Sequence, residues 1–495
     1  MTTPENQPTR KPWLWLLAVA ALVVLRLVLP FRGSDTMLAH SAVVDSLMNG
    51  HNWGRQALVG TLEYPLLPTL ALLASRVFCA PFGLNPGFLL AAICQVWGAV
   101  YVFRLASTPK RKLAVAVGLV YAAAAHELFD ALATADPNWV LAPLLGAAIY
   151  HLALWHRDRE LRDAVLTAAD VGLLAFAGPG GIALGFAVLG GMARHVSLTA
   201  RGPKEERNGL KWMVWTPFCY CLALLLLWNW LVMDSPFFLL GRLGQALQGR
   251  TATHLIEATT GALGFELGWF VVASMLAAGL CLTPGHPLRT TASSLTLGLL
   301  AVVLVRTVCS ALHLYPVGCG ILLATGSLCL VGLSLVGADW QGHRPRMLAG
   351  VGLLVVGFLA SHLTPGTGLR EEARFAEGAP PPEEIATYID QYWPSSRVAV
   401  YGMRTSAIYH DPQEKRFVAR VDFHEGEFLE QASDEILHLL VPPDNNHYYP
   451  QGVSPFSSIA TEGHSRLLLE KTWASGWQLW RCVVSPERHS PLQGL

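Results

Sequence analysis

Three carboxylates and three cations stand where long apolar runs begin or end. Asp35 and Glu63 lie within RGSDTMLAHSAVVDSLMNGHNWGRQALVGTLEYPLLP (32–68), and Asp136 lies in ATADPNW (133–139). Glu63 and Asp136 are hard oxygen donors, suited either to a shared divalent ion such as Mg²⁺ or Mn²⁺ or to orienting an incoming hydroxyl. Asp136, followed by Pro137, also reads as a helix N-cap, and charge is cheaper at a membrane boundary than at its centre. Arg306 lies inside an apolar run, where a guanidinium either pairs with an anion such as phosphate or snorkels to the interface. Arg76 and His313 pose the same alternatives. Asp234, in MDSPFF, reads as a cap, with a substrate role as its alternative.

The elements that must position these groups are mostly apolar. The chain has 495 residues, of which 52% are hydrophobic and 14% charged, where a soluble protein carries roughly a quarter charged residues. Formal net charge is +0, so nucleic acid is not an attractive partner. The nine Cys show no metal spacing, and only Cys482 lies in the polar tail, which leaves the tail no internal disulfide.

Apolar runs predict about eleven membrane spans, near 13–30, 88–106, 113–128, 138–155, 164–177, 180–193, 212–232, 262–282, 291–311, 314–336 and 347–363. The first follows a charged N-terminus and is long, which reads as an uncleaved anchor. The runs at 164–177 and 180–193, split by GPGG, predict either a helix hairpin or a kinked pair. A further run, 65–82, follows two prolines and carries Arg76; it is expected as a re-entrant or juxtamembrane helix. With that assignment STPKRK, HRDRELRD, ARHVSLTARGPKEERNGLK and GHRPR share one side with the basic N-terminus. The positive-inside rule makes that side cytoplasmic and places the three carboxylates and the tail outside.

The expected fold is thus a polytopic α-helical membrane protein with a small C-terminal α/β extracytoplasmic domain. Its parts are a cytoplasmic N-terminus (1–12), a transmembrane domain (13–363) with an outer loop at 31–87, a linker (364–384) and a soluble domain (385–495). In the tail RVAVYG, KRFVARVDF and WQLWRCVV read as strands, and EFLEQASDEILHLLV as helix into strand. Within the outer loop, Met37, Val44, Leu47 and Met48 fall on one helical face. That pattern predicts a helix lying on the outer interface and holding Asp35 at the mouth of a cavity.

The order of these motifs resembles the GT-C superfamily of polyprenyl-phosphate-sugar-dependent glycosyltransferases, most closely its aminoarabinose transferase and protein O-mannosyltransferase-like branch. Asp35 matches the early acid of that family's first outer loop, followed by LMNGHNW and LEYPLLP. Asp136 matches a later acid at the head of a span, and AFAGPGG (175–181) a turn that usually contains Lys. WNWLVMDSPFFL (228–239) and ALHLYPVGCGILL (311–323) are similar to two span-to-loop junctions, the second bringing His313 near the usual cation. The chain departs from the family at Thr36, where many members have a second acid, at Tyr64, which replaces Lys, and in the turn without Lys.

The resemblance implies a glycosyltransferase of the inner (plasma) membrane. It would move a sugar from a polyprenyl-phosphate donor to a lipid, glycan or protein acceptor on the outer face, with inversion. Asp35 is then the general base, Glu63 and Asp136 the acceptor or metal site, and Arg306, His313 and Arg76 the contacts to donor phosphate. Two other classes fit a hydrophobic chain of this kind: a transporter or flippase of a lipid-linked glycan, and a non-catalytic scaffold. A transporter is expected to carry internal repeats and midplane charges; the sequence has no clear repeat, and its acids cluster on one face.

Overall fold

The computed structural model describes residues 35–50, 54–55, 57–58, 64–82, 85–106, 136–199, 203–238, 267–282, 286–311, 318–337, 344–363, 378–401, 405, 408–409, 416–420, 436–443, 459, 463 and 465–483. Glu63, His313 and the runs at 13–30 and 113–128 lie outside them.

The described chain is mostly helical. Its elements are α1 (Asp35–Met48), α2 (Leu66–Cys79), α3 (Pro86–Leu105), α4 (Leu141–Asp158), α5 (Leu161–Leu174), α6 (Pro179–Thr199), α7 (Lys204–Met233), α8 (Leu267–Cys281), α9 (Pro287–Ala311), α10 (Cys319–Gly337), α11 (Arg344–Leu363) and α12 (Pro382–Tyr392). A 3₁₀ turn, Pro137–Val140, leads into α4. Six segments are long and apolar enough to cross a membrane: Pro86–Leu105, Pro137–Asp158, Pro179–Thr199, Lys204–Met233, Leu288–Cys309 and Cys319–Gly337. α2 is apolar but has only 14 residues, about 21 Å of helix against a hydrocarbon core of about 30 Å.

Small residues let these helices approach closely, as expected where hydrophobicity alone does not drive association. A Cβ on Gly98 of α3 would stand 3.2 Å from the backbone of Ala142, and one on Gly146 of α4 would stand 3.2 Å from the Gly98 carbonyl. α10 is buried along almost its whole length and packs against α3, α4, α8 and α9. α7, by contrast, exposes Trp212, Tyr220, Leu227, Trp230 and Leu231, an apolar surface suited to acyl chains.

α5 and α6 form a hairpin. The chain reverses at Gly178, at φ +88°, and both helices then lie against α7, Gly172 beside Pro217 and Gly185 beside the Phe218 ring. A Cβ on Gly181 would fall 1.9 Å from the Leu174 carbonyl oxygen, so the GPGG turn is required by the reversal itself.

Among the described residues the tail forms a five-stranded sheet in the order β2-β1-β3-β5-β4, from β1 (Arg397–Tyr401), β2 (Phe417–Arg420), β3 (Ile436–Val441), β4 (Leu467–Thr472) and β5 (Gln478–Cys482). β1 runs parallel to β2 and β3; β5 is antiparallel to β3 and β4. The two-residue alternation of a strand puts Val398, Val400, Leu440 and Leu479 on the face covered by Ile385 and Ile389 of α12. Ala399, Leu439, Val441 and Trp480 lie on the other.

α1 differs from the sequence expectation. It is not a helix with one apolar stripe turned to lipid: Ala39, His40, Val43, Val44, Asp45 and Ser46 are all buried. Ala39, Ala42, Val43 and Tyr64 belong to one apolar cluster with Ile385, Val398, Tyr409 and Trp477 of the tail, while Met37 meets Phe88 at the start of α3. Small residues on the flank of α1 let it be enclosed by protein, and its Met and Val pattern alone did not reveal this.

Candidate functional site

Four turns meet at one end of the helical domain. Pro65 opens α2, and its Cγ lies 4.0 Å from the Cβ position of Gly178, in the α5–α6 turn. Gly318, at φ +87°, opens α10, and its Cβ position lies 3.3 Å from Asn138 Oδ1 and 3.7 Å from the Ala177 carbonyl. The turn at 137–140 packs against α1, α2 and α3. Pro65, Asn138, Ala177, Gly178 and Gly318, far apart in sequence, therefore share one neighbourhood.

Asp136 sits at the edge of this neighbourhood and caps the 3₁₀ turn. Its Oδ1 accepts from the Asn138 backbone N at 2.8 Å and from Asn138 Nδ2 at 2.7 Å. Burial pushes its carboxyl up from the ordinary carboxylate range, against the two Asn138 N–H groups, which pull it down. Asp136 thus caps the turn, and its partner Asn138 reaches the turn that opens α10.

Arg306 belongs to the same end. Its Nη1 stands 3.8 Å from the Cβ position of Gly320, and Cys319 Sγ stands 2.6 Å from that of Gly180. The N-termini of α6 and α10 therefore open beside one another and beside the guanidinium. The helix dipole and the first-turn N–H groups make helix N-termini favourable for an anion.

Asp35 opens α1; its side chain lies outside the described part, as do Glu63 and His313 entirely. Arg76 forms an ion pair with Asp45, tying α2 to α1, so whatever else it binds it also clamps α1. Asp234 ends α7 in the left-handed conformation at φ 53°, which Asp tolerates better than most residues. Among the described residues no three His, Cys, Asp or Glu side chains come together to hold a metal ion.

Sequence reasoning missed three residues here. Asn138 follows Asp136 by two positions, an Asx-turn spacing. Asp45 is a lone acid in the middle of α1. His40 is fully buried, bonds through Nδ1 to the Thr36 carbonyl at 2.7 Å and meets the Tyr64 ring edge-on at 5.3 Å. Burial pushes its pKa down to about 4, the Thr36 bond opposing it.

The other end of the bundle has a different character. His156 Nδ1 bonds Thr291 Oγ1 at 2.9 Å, its ring meets His195 at 4.8 Å, and Arg159 lies over Trp155. Basic residues at the ends of α4 and α6 thus gather away from Asp136.

No family model and no curated protein matches the chain. Among solved structures it is similar to ArnT from Cupriavidus metallidurans bound to undecaprenyl phosphate, at 13% identity and a TM-score of 0.39, over 97% of this chain and 99% of that one.

Proposed function

We propose that the chain is an integral membrane glycosyltransferase that moves a sugar from a polyprenyl-phosphate donor to an acceptor at the outer membrane face, by a single inverting displacement. The observation that carries the reading is the shared turn at 318–320, with Arg306 beside Gly320 and the Asp136–Asn138 pair beside Gly318. A cation and two helix N-termini suit a leaving phosphate; an acid alongside suits a hydroxyl acceptor.

In this mechanism Asp35 takes the proton from the acceptor hydroxyl as its oxygen attacks the anomeric carbon. The bond from that carbon to the phosphate oxygen breaks, and the polyprenyl phosphate leaves as an anion held by Arg306 and the ends of α6 and α10. Asp136 and Glu63 orient the acceptor; a divalent ion bound by these carboxylates would add charge neutralisation. The exposed apolar faces of the helices give the polyprenyl tail a path from the bilayer. The end of the bundle that carries Arg157 and Arg159 fits the cytoplasmic side.

The test is incubation of the purified protein with a panel of polyprenyl-phosphate sugars and detection of released polyprenyl phosphate. Asp35→Asn keeps shape and removes basicity, and general base catalysis is worth about 10²–10⁴ in rate. A wild-type rate in Asp35→Asn, at normal abundance, removes Asp35 from the chemistry.

A further inference from the structure

Asp136 takes both hydrogen bonds on its Oδ1 from one residue, Asn138. The backbone bond is what any N-cap makes, and every residue but Pro at 138 could supply it. The side-chain bond is specific: Asp at 138 would lack the donor, and an apolar residue would lack any polar group. Asn138 is fully buried, and its own Oδ1 has no hydrogen-bond partner. That oxygen faces the Gly318 turn, at 3.3 Å from the Cβ position there. A residue serving only to start a helix gains nothing from a buried, unsatisfied amide oxygen, which costs free energy wherever water cannot reach it.

We propose that Asn138 is a positioning residue: it fixes the Asp136 carboxylate by one oxygen, so that Oδ2 is the oxygen that receives the acceptor hydroxyl. This rests on the glycosyltransferase reading and deepens it, since it assigns acceptor orientation to Asp136. The donor of the Asn138–Asp136 bond is the amide Nδ2, which leaves Asn138 Oδ1 turned to Gly318, two residues from the Gly320 that Arg306 approaches. Asn138 thus joins the acceptor side of the site to the donor side.

The experiment is a kinetic double-mutant cycle on the full-length protein, using the donor that wild type turns over. Asn138→Ala, Asn138→Ser, Asp136→Asn and the double variant Asp136→Asn/Asn138→Ala are compared at matched abundance and melting temperature. Asn138→Ala is expected to lower kcat or raise acceptor KM by about tenfold or more, the scale of one hydrogen bond to a charged group, with donor KM within about twofold, the scale of a contact not touched. Asn138→Ser, which keeps a short donor, should recover part of the loss. In the Asp136→Asn background Asn138→Ala should add almost nothing, because its effect passes through Asp136. An equal loss in both backgrounds, a loss confined to donor KM, or no loss at all overturns the proposal. Wild type that releases no polyprenyl phosphate from any donor overturns the glycosyltransferase reading and this inference with it. An active wild type with an unaffected Asn138→Ala overturns the inference alone.

Discussion

Nη1 of Arg306, on α9, lies 3.8 Å from the point where a Cβ would stand on Gly320 of α10, so the guanidinium reaches the mouth of a helix N-terminus. Arg306→Ala should raise donor KM about 10- to 100-fold, the worth of a charge-assisted hydrogen bond. Acceptor KM should change little. Arg306→Lys should recover only part, since Lys offers a point charge without the planar fork. Steady-state kinetics with varied donor decides: an unchanged donor KM takes Arg306 off the phosphate.

The Arg76–Asp45 pair separates architecture from chemistry. The Asp45 side chain is 6% accessible and that of Arg76 34%, so removing the cation takes the opposite charge away from a buried acid. Arg76→Gln should cost about 2–3 kcal/mol, below the figure for a fully buried pair, and Asp45→Asn added to it should return part of that. If Arg76 also contacts donor phosphate, donor KM should stay high in the double variant after stability has recovered. Melting temperature and donor KM on the four proteins of the cycle make the distinction.

Acid should loosen α1 and the tail. Burial lowers His40 to about 4 and, in the tail, His438 to about 4, with Glu470 opposing and Arg481 reinforcing the His438 shift. His438 bonds Ser396 Oγ at 2.7 Å. Each ring stays neutral in the folded chain while the unfolded chain takes up a proton near 6.5. Stability is therefore complete above about pH 6.5 and falls as pH drops toward about 4, by about 3 kcal/mol per group at 1.36 kcal/mol per pH unit. Melting temperature measured between pH 7 and 4 should fall steeply in wild type and less steeply in His40→Asn and His438→Asn. Parallel curves for all three proteins would show that neither ring carries the acid sensitivity.

What the sequence made legible follows from which signals are local. Long apolar runs announce themselves residue by residue, so the segments at 86–105, 137–158, 179–199, 204–233, 288–309 and 319–337 overlap the expected runs; the polar ends do not, and 204–233 begins well before the expected 212 while 179–199 ends well after the expected 193. Strands β1, β2 and β5 were visible as short alternating runs. β4, LLLEKT, was not read as a strand: it pairs only with β5 and exposes Leu468 and Leu469, so its pattern does not alternate cleanly. The Asp136 cap was legible from the following proline, while the Asn138 amide two residues on needed coordinates. The enclosure of α1 depends on Ala39, Ala42 and Val43 meeting residues more than 300 positions later, and no periodicity within α1 encodes that partner.

That long-range packing yields a last prediction, which links the tail to the outer loop. Trp477 is completely buried, packs against Tyr409 at 5.8 Å between ring centroids and belongs to the cluster that contains Ala39, Ala42, Val43 and Tyr64. Trp477→Ala opens a cavity there and should cost about 3–5 kcal/mol of local stability. Because α1 shares the cluster, the loss should not stay in the sheet. Hydrogen exchange in peptides covering 35–48 should accelerate along with that of β1 and β3, while α4 and α10, in the separate core of the bundle, keep their protection. Loosening α1 also loosens the backbone that carries Asp35, so transfer rate should fall further than donor affinity. If exchange rises in the strands and 35–48 stays protected, the tail and the outer-loop helix are energetically independent, and the tail has no part in holding Asp35.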